Sequence, residues 1–126
     1  MTVDAAVRLE VPPELRYLAA ARTVAAALAV DAGMTVDDLE DLRLGVGELT
    51  TVLMDGVVGE ANGVRVVLKF ALGDRSVTVS GAVEGASITV APDPLTAKIL
   101  SAVADHYELG PSSFVFTKSS SFRERG

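Results

Sequence analysis

Hydrophobic positions change their spacing along this chain, and each change marks a predicted element. From Ala6 to Val11 apolar and charged residues alternate, which predicts a strand with one buried face. Pro13 suits the first turn of a helix, because its missing N–H would have no helical partner there. The alanine-rich run from Glu14 to Ala32 predicts that helix, with Gly33 as a left-handed cap.

A second helix is predicted from Thr35 to about Met54. Thr35 followed three residues later by Asp38 has the pattern of a capping box, in which each side chain accepts from the other residue's backbone N–H. The apolar residues of this segment recur at steps of three and four, which places them on one buried stripe of the helix. They are Leu39, Leu42, Val46, Leu49 and Leu53.

Two segments rich in β-branched residues, Val64 to Leu72 and Ser76 to Gly81, predict a hairpin that turns at Gly73 and Asp74. Ser87 to Val90 either extends this sheet or follows it.

The last third of the chain predicts one more helix and one more strand. Asp93 caps a helix that runs through Pro94 and Leu95 to about His106, where we expect the histidine to act as a cation at the helix end. Ser113 to Lys118 predicts the last strand, and residues 119–126 a flexible polar tail. The order βααββαβ predicts an α+β fold in a single domain, residues 1–126.

Composition restricts the function. Hydrophobic residues make up 49% of the 126 residues and aromatic residues 5%, so the core must consist mainly of Ala, Val and Leu. The absence of cysteine excludes a disulfide framework and a thiolate nucleophile. A net charge of −6 disfavours nucleic-acid binding, which depends on Lys and Arg. No apolar run reaches the ~18 residues of a membrane span, and no signal peptide is recognisable, so we expect a soluble, cytoplasmic protein.

The sequence DLRLGVGE at residues 41–48 is the stretch that points to a site. It resembles the motif-bearing second helix of the anti-sigma-factor serine kinases, in particular divergent actinobacterial members. This family is a bacterial branch of the histidine-kinase-like ATPase group that also contains gyrase. The order of elements from Ala6 to Lys118 is also similar to that family. The resemblance implies a two-layer α/β sandwich of the GHKL, or Bergerat, type, with about three helices on one face of a mixed, mostly antiparallel sheet.

By this resemblance Glu48 is the catalytic residue, a general base that polarises the attacking group near the γ-phosphate of ATP. A carboxylate can do this because it accepts a proton while the helix holds it in position. Without the resemblance, Glu48 is a solvated side chain on the helix surface, as most charged residues are. The two interpretations have nearly equal weight.

The nucleotide site of this family is only partly present. Val52 occupies the position of the magnesium-binding asparagine and offers no oxygen ligand. Asp55 is the one substitute, although it lies roughly 10 Å further along the helix axis than Glu48. Ser80 and Gly81 stand where the family has the aspartate that reads adenine and a glycine. Residues 90–95, VAPDPL, contain no glycine where the family has a glycine-rich lid. The resemblance implies ATP with magnesium, but these departures lead us to expect no cofactor.

A second similarity concerns partner proteins. The sequence ARTVAA at residues 21–26 resembles the first helix of the family, whose arginine contacts both the sigma factor and its antagonist; here that residue is Arg22. Without the resemblance, Arg22 equally fits a side chain that extends along the core to reach water. An acidic cluster at Asp37, Asp38, Glu40 and Asp41 is expected to face solvent, where it either attracts a basic sigma factor or simply stabilises the helix start.

These observations predict a regulator of transcription, of the stress-response type, that acts by binding a sigma factor or an anti-sigma antagonist. The nucleotide site is expected to be inactive, and a homodimer is expected from the habit of the family. The first alternative is an active ATP-dependent serine/threonine kinase that phosphorylates the antagonist. The second is a domain that has kept the fold and binds another small ligand.

Overall fold

The computed structural model describes residues 6–57, 62–88, 90 and 93–121. Within them the chain forms an α+β structure with three α-helices and a five-stranded sheet. In chain order the elements are β1 (Val7–Val11), a 3₁₀ turn (Leu15–Tyr17), α1 (Leu18–Asp31), α2 (Val36–Asp55), β2 (Arg65–Gly73), β3 (Ser76–Glu84), α3 (Pro94–Val103), β4 (His106–Leu109) and β5 (Ser113–Ser119).

The sheet has the order β1-β2-β3-β5-β4, and neighbouring strands are antiparallel throughout. The register aligns the apolar positions of successive strands: Leu68 of β2 lies opposite Leu9 on one side and Gly81 on the other. In turn, Gly81 lies opposite Phe114. Because side chains alternate between the two faces of a strand, this register collects the large apolar residues on one face, and the helices pack there as a second layer.

The stripe predicted on α2 forms the centre of the core. Leu42, Val46, Leu49 and Leu53 are fully buried, and Leu39 is half-buried at the margin. Against them pack Phe70, Phe114 and Phe116 from the sheet and three alanines of α1. These alanines are Ala21, Ala25 and Ala29, whose short side chains let α1 approach α2 closely.

The caps predicted at Gly33 and Thr35 are confirmed by their hydrogen bonds. Gly33 has φ +72°, its N–H donates to Val30 O, and Met34 N–H donates to Ala29 O, which together form a Schellman motif. Thr35 Oγ1 accepts from Asp38 N at 3.1 Å while Asp38 Oδ2 accepts from Thr35 N at 3.3 Å, which is the capping box. The predicted cap of α3 is also present, because the Asp93 side chain accepts from Thr96 N.

The element order differs from the predicted βααββαβ by one strand. The third helix ends at Val103 rather than near His106, because Ala104 is extended with ψ 142° and Asp105 N–H already bonds to Thr117 O. His106 is therefore the first residue of β4 and not a cation at a helix end; its Nε2 lies 3.7 Å from Glu108 Oε1. The first helix also starts later than predicted, at Leu18, after the 3₁₀ turn.

Two further predictions concern segments that are only partly described. Ser87, Ile88 and Val90 belong to no strand, and Thr89 lies outside the described residues. Of the predicted tail, Ser119 closes β5 and Ser121 binds Asp38 through both its N–H and its Oγ at 2.8 Å, while residues 122–126 lie outside the described part. Among the described helices, none combines the length and the apolar character that crossing a membrane requires.

Candidate functional site

A cavity of about 530 Å³ lies between the C-terminal half of α2 and the first turns of α3. The capping of α3 sets one wall, because Asp93 Oδ1 accepts from Thr96 N at 2.8 Å and Pro94 occupies the first turn. The cavity is lined by Glu48, Thr51, Val52, Asp55, Gly56, Val90, Asp93, Leu95, Thr96 and Ile99. It thus contains the helix face that the sequence singled out.

Glu48 is half-buried in this cavity and has a partner on the other helix. The hydroxyl of Thr96 donates to Glu48 Oε2 at 3.4 Å. Sequence reasoning missed Thr96, because the two residues are 48 positions apart and Thr96 carries no motif of its own. The only local signal was the Asp93 cap, which fixes Thr96 in the first turn of α3. Glu48 is therefore a cleft residue rather than a fully solvated one.

Val52 and Asp55 follow Glu48 along the same side of α2. Val52 contributes an apolar wall, and Asp55 is exposed at the helix end. The charged side chains among the described lining residues are Glu48, Asp55 and Asp93, all acidic.

Magnesium and ATP do not fit this set of groups. The phosphates would meet carboxylates without a lysine or arginine from the described lining. Glu48 and Asp55 are separated by two helical turns, and no cluster of three or more carboxylate or imidazole side chains suited to a metal occurs in the described part of the chain.

The residues predicted to read the purine lie elsewhere. Ser80 pairs with Lys69 and Val115 on the face of the sheet away from the helices, where a separate hollow of about 230 Å³ lies. A Cβ on Gly81 would overlap the Phe114 ring and approach Leu68, so this glycine makes room for core packing. The structure therefore joins Glu48 and Val52 but not Ser80. Of the predicted lid, Val90, Asp93 and Leu95 line the cavity, and Ala91 and Pro92 are outside the described residues.

Arg22 lies in a second site, a surface notch of about 210 Å³ formed with Glu40, Arg43 and Leu44, called here the Arg22 notch. Its guanidinium lies across Gly47 of α2: a Cβ there would come within 2.7 Å of Arg22 Nε and 2.8 Å of Nη2. Arg43 Nη1 is paired with Glu40 Oε1 at 3.1 Å. For Arg22, by contrast, no described carboxylate comes within ion-pair distance.

The acidic cluster at the start of α2 does not face solvent as a whole, contrary to the prediction. Asp38 is only 4% exposed and binds Thr35 and Ser121. Asp41 lies 3.4 Å from Nζ of the buried Lys118, which is also 3.9 Å from Asp105. Burial by itself raises the pKa of Asp38, but the hydrogen bonds from Ser121 and Thr35 outweigh it, and the net pKa is lowered.

No protein-family model matches this chain, and no curated protein matches it significantly. The resemblance carried by residues 21–26 and 41–48 therefore stays a prediction. What the molecule can do must follow from the cavity and the Arg22 notch.

Proposed function

We propose that this protein is a cytoplasmic regulator of the anti-sigma type, with the GHKL fold, that binds a sigma factor or an anti-sigma antagonist and does not transfer phosphate. The Arg22 notch carries the proposal. Arg22 is half-buried, its guanidinium occupies the space that a side chain at Gly47 would need, and it has no ion-pair partner among the described residues. A homodimer remains part of the proposal, from the family resemblance.

An arginine in this state suits protein recognition. A guanidinium can donate two parallel hydrogen bonds to one carboxylate, and its planar shape limits the side-chain entropy lost for each bond. Leu44, 42% exposed beside it, adds apolar contact area. Arginine is one of the residue types enriched among those that carry most of the binding energy at interfaces. The notch therefore favours an acidic surface on the partner.

The test measures binding of the purified protein to the sigma factors and antagonist proteins encoded in its own genome. For the partner that binds, Arg22→Ala should weaken the affinity about tenfold or more, the effect of losing one charge-assisted pair. Arg16→Ala is the matched control, because Arg16 is 70% exposed and lies 3.4 Å from Glu14 outside the notch. Equal affinities for the wild type and Arg22→Ala would contradict the proposal.

The inactive nucleotide site is tested separately, by calorimetric titration with ATP and ADP in the presence of magnesium up to millimolar concentration. We expect no saturable heat, since the charged groups described in the cavity are acidic. Saturable ATP binding that weakens on Glu48→Ala would favour the alternative, an active serine kinase, and a phosphorylation assay on the antagonist would follow.

A further inference from the structure

The geometry points to the cavity beside Glu48 as a binding site for a linear organic dication, a chain of methylenes with a protonated amine at each end. This inference goes beyond the proposed function, and it rests on it in one respect: the cavity must be free of nucleotide. It follows from the positions of the acidic groups, from the end of α2 and from the apolar wall between them.

Two carboxylates stand at the ends of the α2 side of the cavity. Glu48 and Asp55 are seven residues apart, which returns them to nearly the same side of the helix with a separation of about 10 Å along the axis. Within the described residues, Glu48 accepts one long hydrogen bond, from Thr96 at 3.4 Å. Asp55 is exposed and forms no ion pair with the described residues. Both therefore keep lone pairs for a donor.

The backbone adds to this negative field. Helix α2 ends at Asp55, and Gly56, its C-cap, lines the cavity. The carbonyl end of a 20-residue helix carries partial negative charge, and here its last turn contains no basic residue to offset it. The partial positive charge at the N-terminus of α3 is already offset by the carboxylate of Asp93, which caps that helix. A cation at the Asp55 end of the cavity is thus favoured by both side chain and backbone.

The surface between the two carboxylates is apolar. Val52 lies one turn from Glu48 on the path toward Asp55, and Leu95 and Ile99 of α3 face the same space. Leu95 is 67% exposed, so its apolar surface is accessible to a ligand in the cavity of about 530 Å³. A volume of several hundred cubic ångströms is typical of small-molecule sites. Methylenes would bury this apolar surface, and a metal ion or an inorganic anion would not.

The spacing of Glu48 and Asp55 along α2 favours one class of ligand over others. A lysine side chain from a partner protein brings one ammonium group and pairs with one of the two carboxylates. Magnesium needs several oxygens converging on one point. A linear diamine of suitable length can place one ammonium group beside Glu48 and the other beside Asp55, with its carbon chain along Val52.

The experiment is calorimetric titration of the full chain with linear diamines from 1,4-diaminobutane to 1,10-diaminodecane at constant ionic strength. Affinity should rise with chain length to a maximum at about seven or eight methylenes, the length that spans about 10 Å. The monoamine of equal length should bind about tenfold more weakly, because one charge-assisted hydrogen bond is lost. Glu48→Gln and Asp55→Asn should each produce a loss of similar size.

Asp74→Asn is the control, since Asp74 is an exposed acid in the hairpin turn, far from the cavity lining. An affinity that does not depend on chain length, or that falls equally with Asp74→Asn, would mean general attraction to an acidic protein and would overturn the inference. If no diamine binds while partner binding still depends on Arg22, this inference is overturned and the proposed function is not. Saturable ATP binding displaced by no diamine overturns both this inference and the inactive-site part of the proposed function.

Discussion

Two glycines in α2 show how differently one residue type can be used within a single helical turn. Gly45 faces the sheet, where the Phe116 ring occupies the space that its side chain would need. Gly47 faces α1, where the guanidinium of Arg22 takes that space. The first neighbour is a ring fixed in the core, and the second is the far end of a flexible side chain. Alanine at the two positions should therefore have opposite consequences.

Gly45→Ala should destabilise the protein. Overpacking a filled core costs about 1–3 kcal/mol, and the better helix propensity of alanine returns at most about 1 kcal/mol. We expect a net loss of about 1–2 kcal/mol in the free energy of unfolding measured with urea, by these same estimates. A Gly45→Ala variant as stable as the wild type would show that the Phe116 ring can move aside.

Gly47→Ala should leave the fold intact and act on recognition. The substitution gains up to about 1 kcal/mol of helix stability, while its Cβ displaces the Arg22 guanidinium. We therefore expect unchanged or higher resistance to urea together with partner affinity as low as that of Arg22→Ala. If the variant keeps full affinity, the position of Arg22 over Gly47 has no part in binding.

At the scale of elements, the start of α2 is joined to the end of β5. Asp38 closes the capping box and also binds the N–H and hydroxyl of Ser121, while Lys118 connects Asp41 with Asp105. One buried carboxylate thus serves both the cap of a helix and the attachment of the C-terminal segment, and its ionisation becomes part of the stability of the molecule.

The substitution Asp38→Asn should change how the free energy of unfolding depends on pH. The folded state holds the pKa of Asp38 below 3.8, its ordinary value, so the unfolded chain takes up the proton first as the solution is acidified. The stabilisation is complete above 3.8 and is lost as pH falls through the lowered pKa. Near neutrality we expect the variant to be about 1–3 kcal/mol less stable, the worth of hydrogen bonds to a charged group.

The measurement is urea unfolding of both proteins across the acidic range, with the exposed neighbour Asp37→Asn as control. The stability difference between wild type and Asp38→Asn should shrink below pH 3.8, while the Asp37→Asn difference stays small. Two curves for wild type and Asp38→Asn that run parallel through the whole range would contradict the role given to this carboxylate.

The elements that the sequence predicted are those with local causes. The two caps of α2 and α3, the stripe on α2 and the hairpin between β2 and β3 each depend on residues a few positions apart. β4 was missed because its four residues are too few for a clear alternation, and because α3 ends without a glycine or proline signal. What stops α3 is a bond to Thr117 in a strand that follows later in the chain.

The residues of the candidate site also fall into those that the sequence could predict and those that it could not. Glu48, Val52 and Asp55 lie along one helix, so their common face could be predicted from spacing alone. Thr96 could not be found, because its contact with Glu48 depends on how α3 packs on α2. Ser80 was grouped with Glu48 by resemblance, but strand register places it on the far face of the sheet. Local geometry was predictable, and the assembly of distant segments was not.

At the scale of the whole molecule, the strand order places β3 at the centre and leaves β1 and β4 at the edges. β3 is bonded on both sides, to the nine-residue β2 and to β5, while β4 has four residues and pairs with one strand among the described residues. Local opening should be easiest at the short edge strand. The protein should therefore exchange its amide hydrogens unevenly across the sheet.

Hydrogen–deuterium exchange followed by mass spectrometry can test this. Peptides from β3 and from the middle of α2 should exchange most slowly, close to the rate of global unfolding, and peptides covering β4 should exchange much sooner. Protection of β4 equal to that of β3 would mean that a further contact covers this edge.

The packing of Arg22 over Gly47 also restricts how this protein can change during evolution. A side chain at position 47 would displace the guanidinium of the arginine at position 22. Loss of that arginine would in turn leave the surface beside position 47 uncovered. The conformation of Arg22 in this structure therefore depends on glycine at position 47. In descendants of the same ancestor the two should change together, and a lineage with alanine at 47 and a short side chain at 22 would have lost the surface that we propose for partner binding.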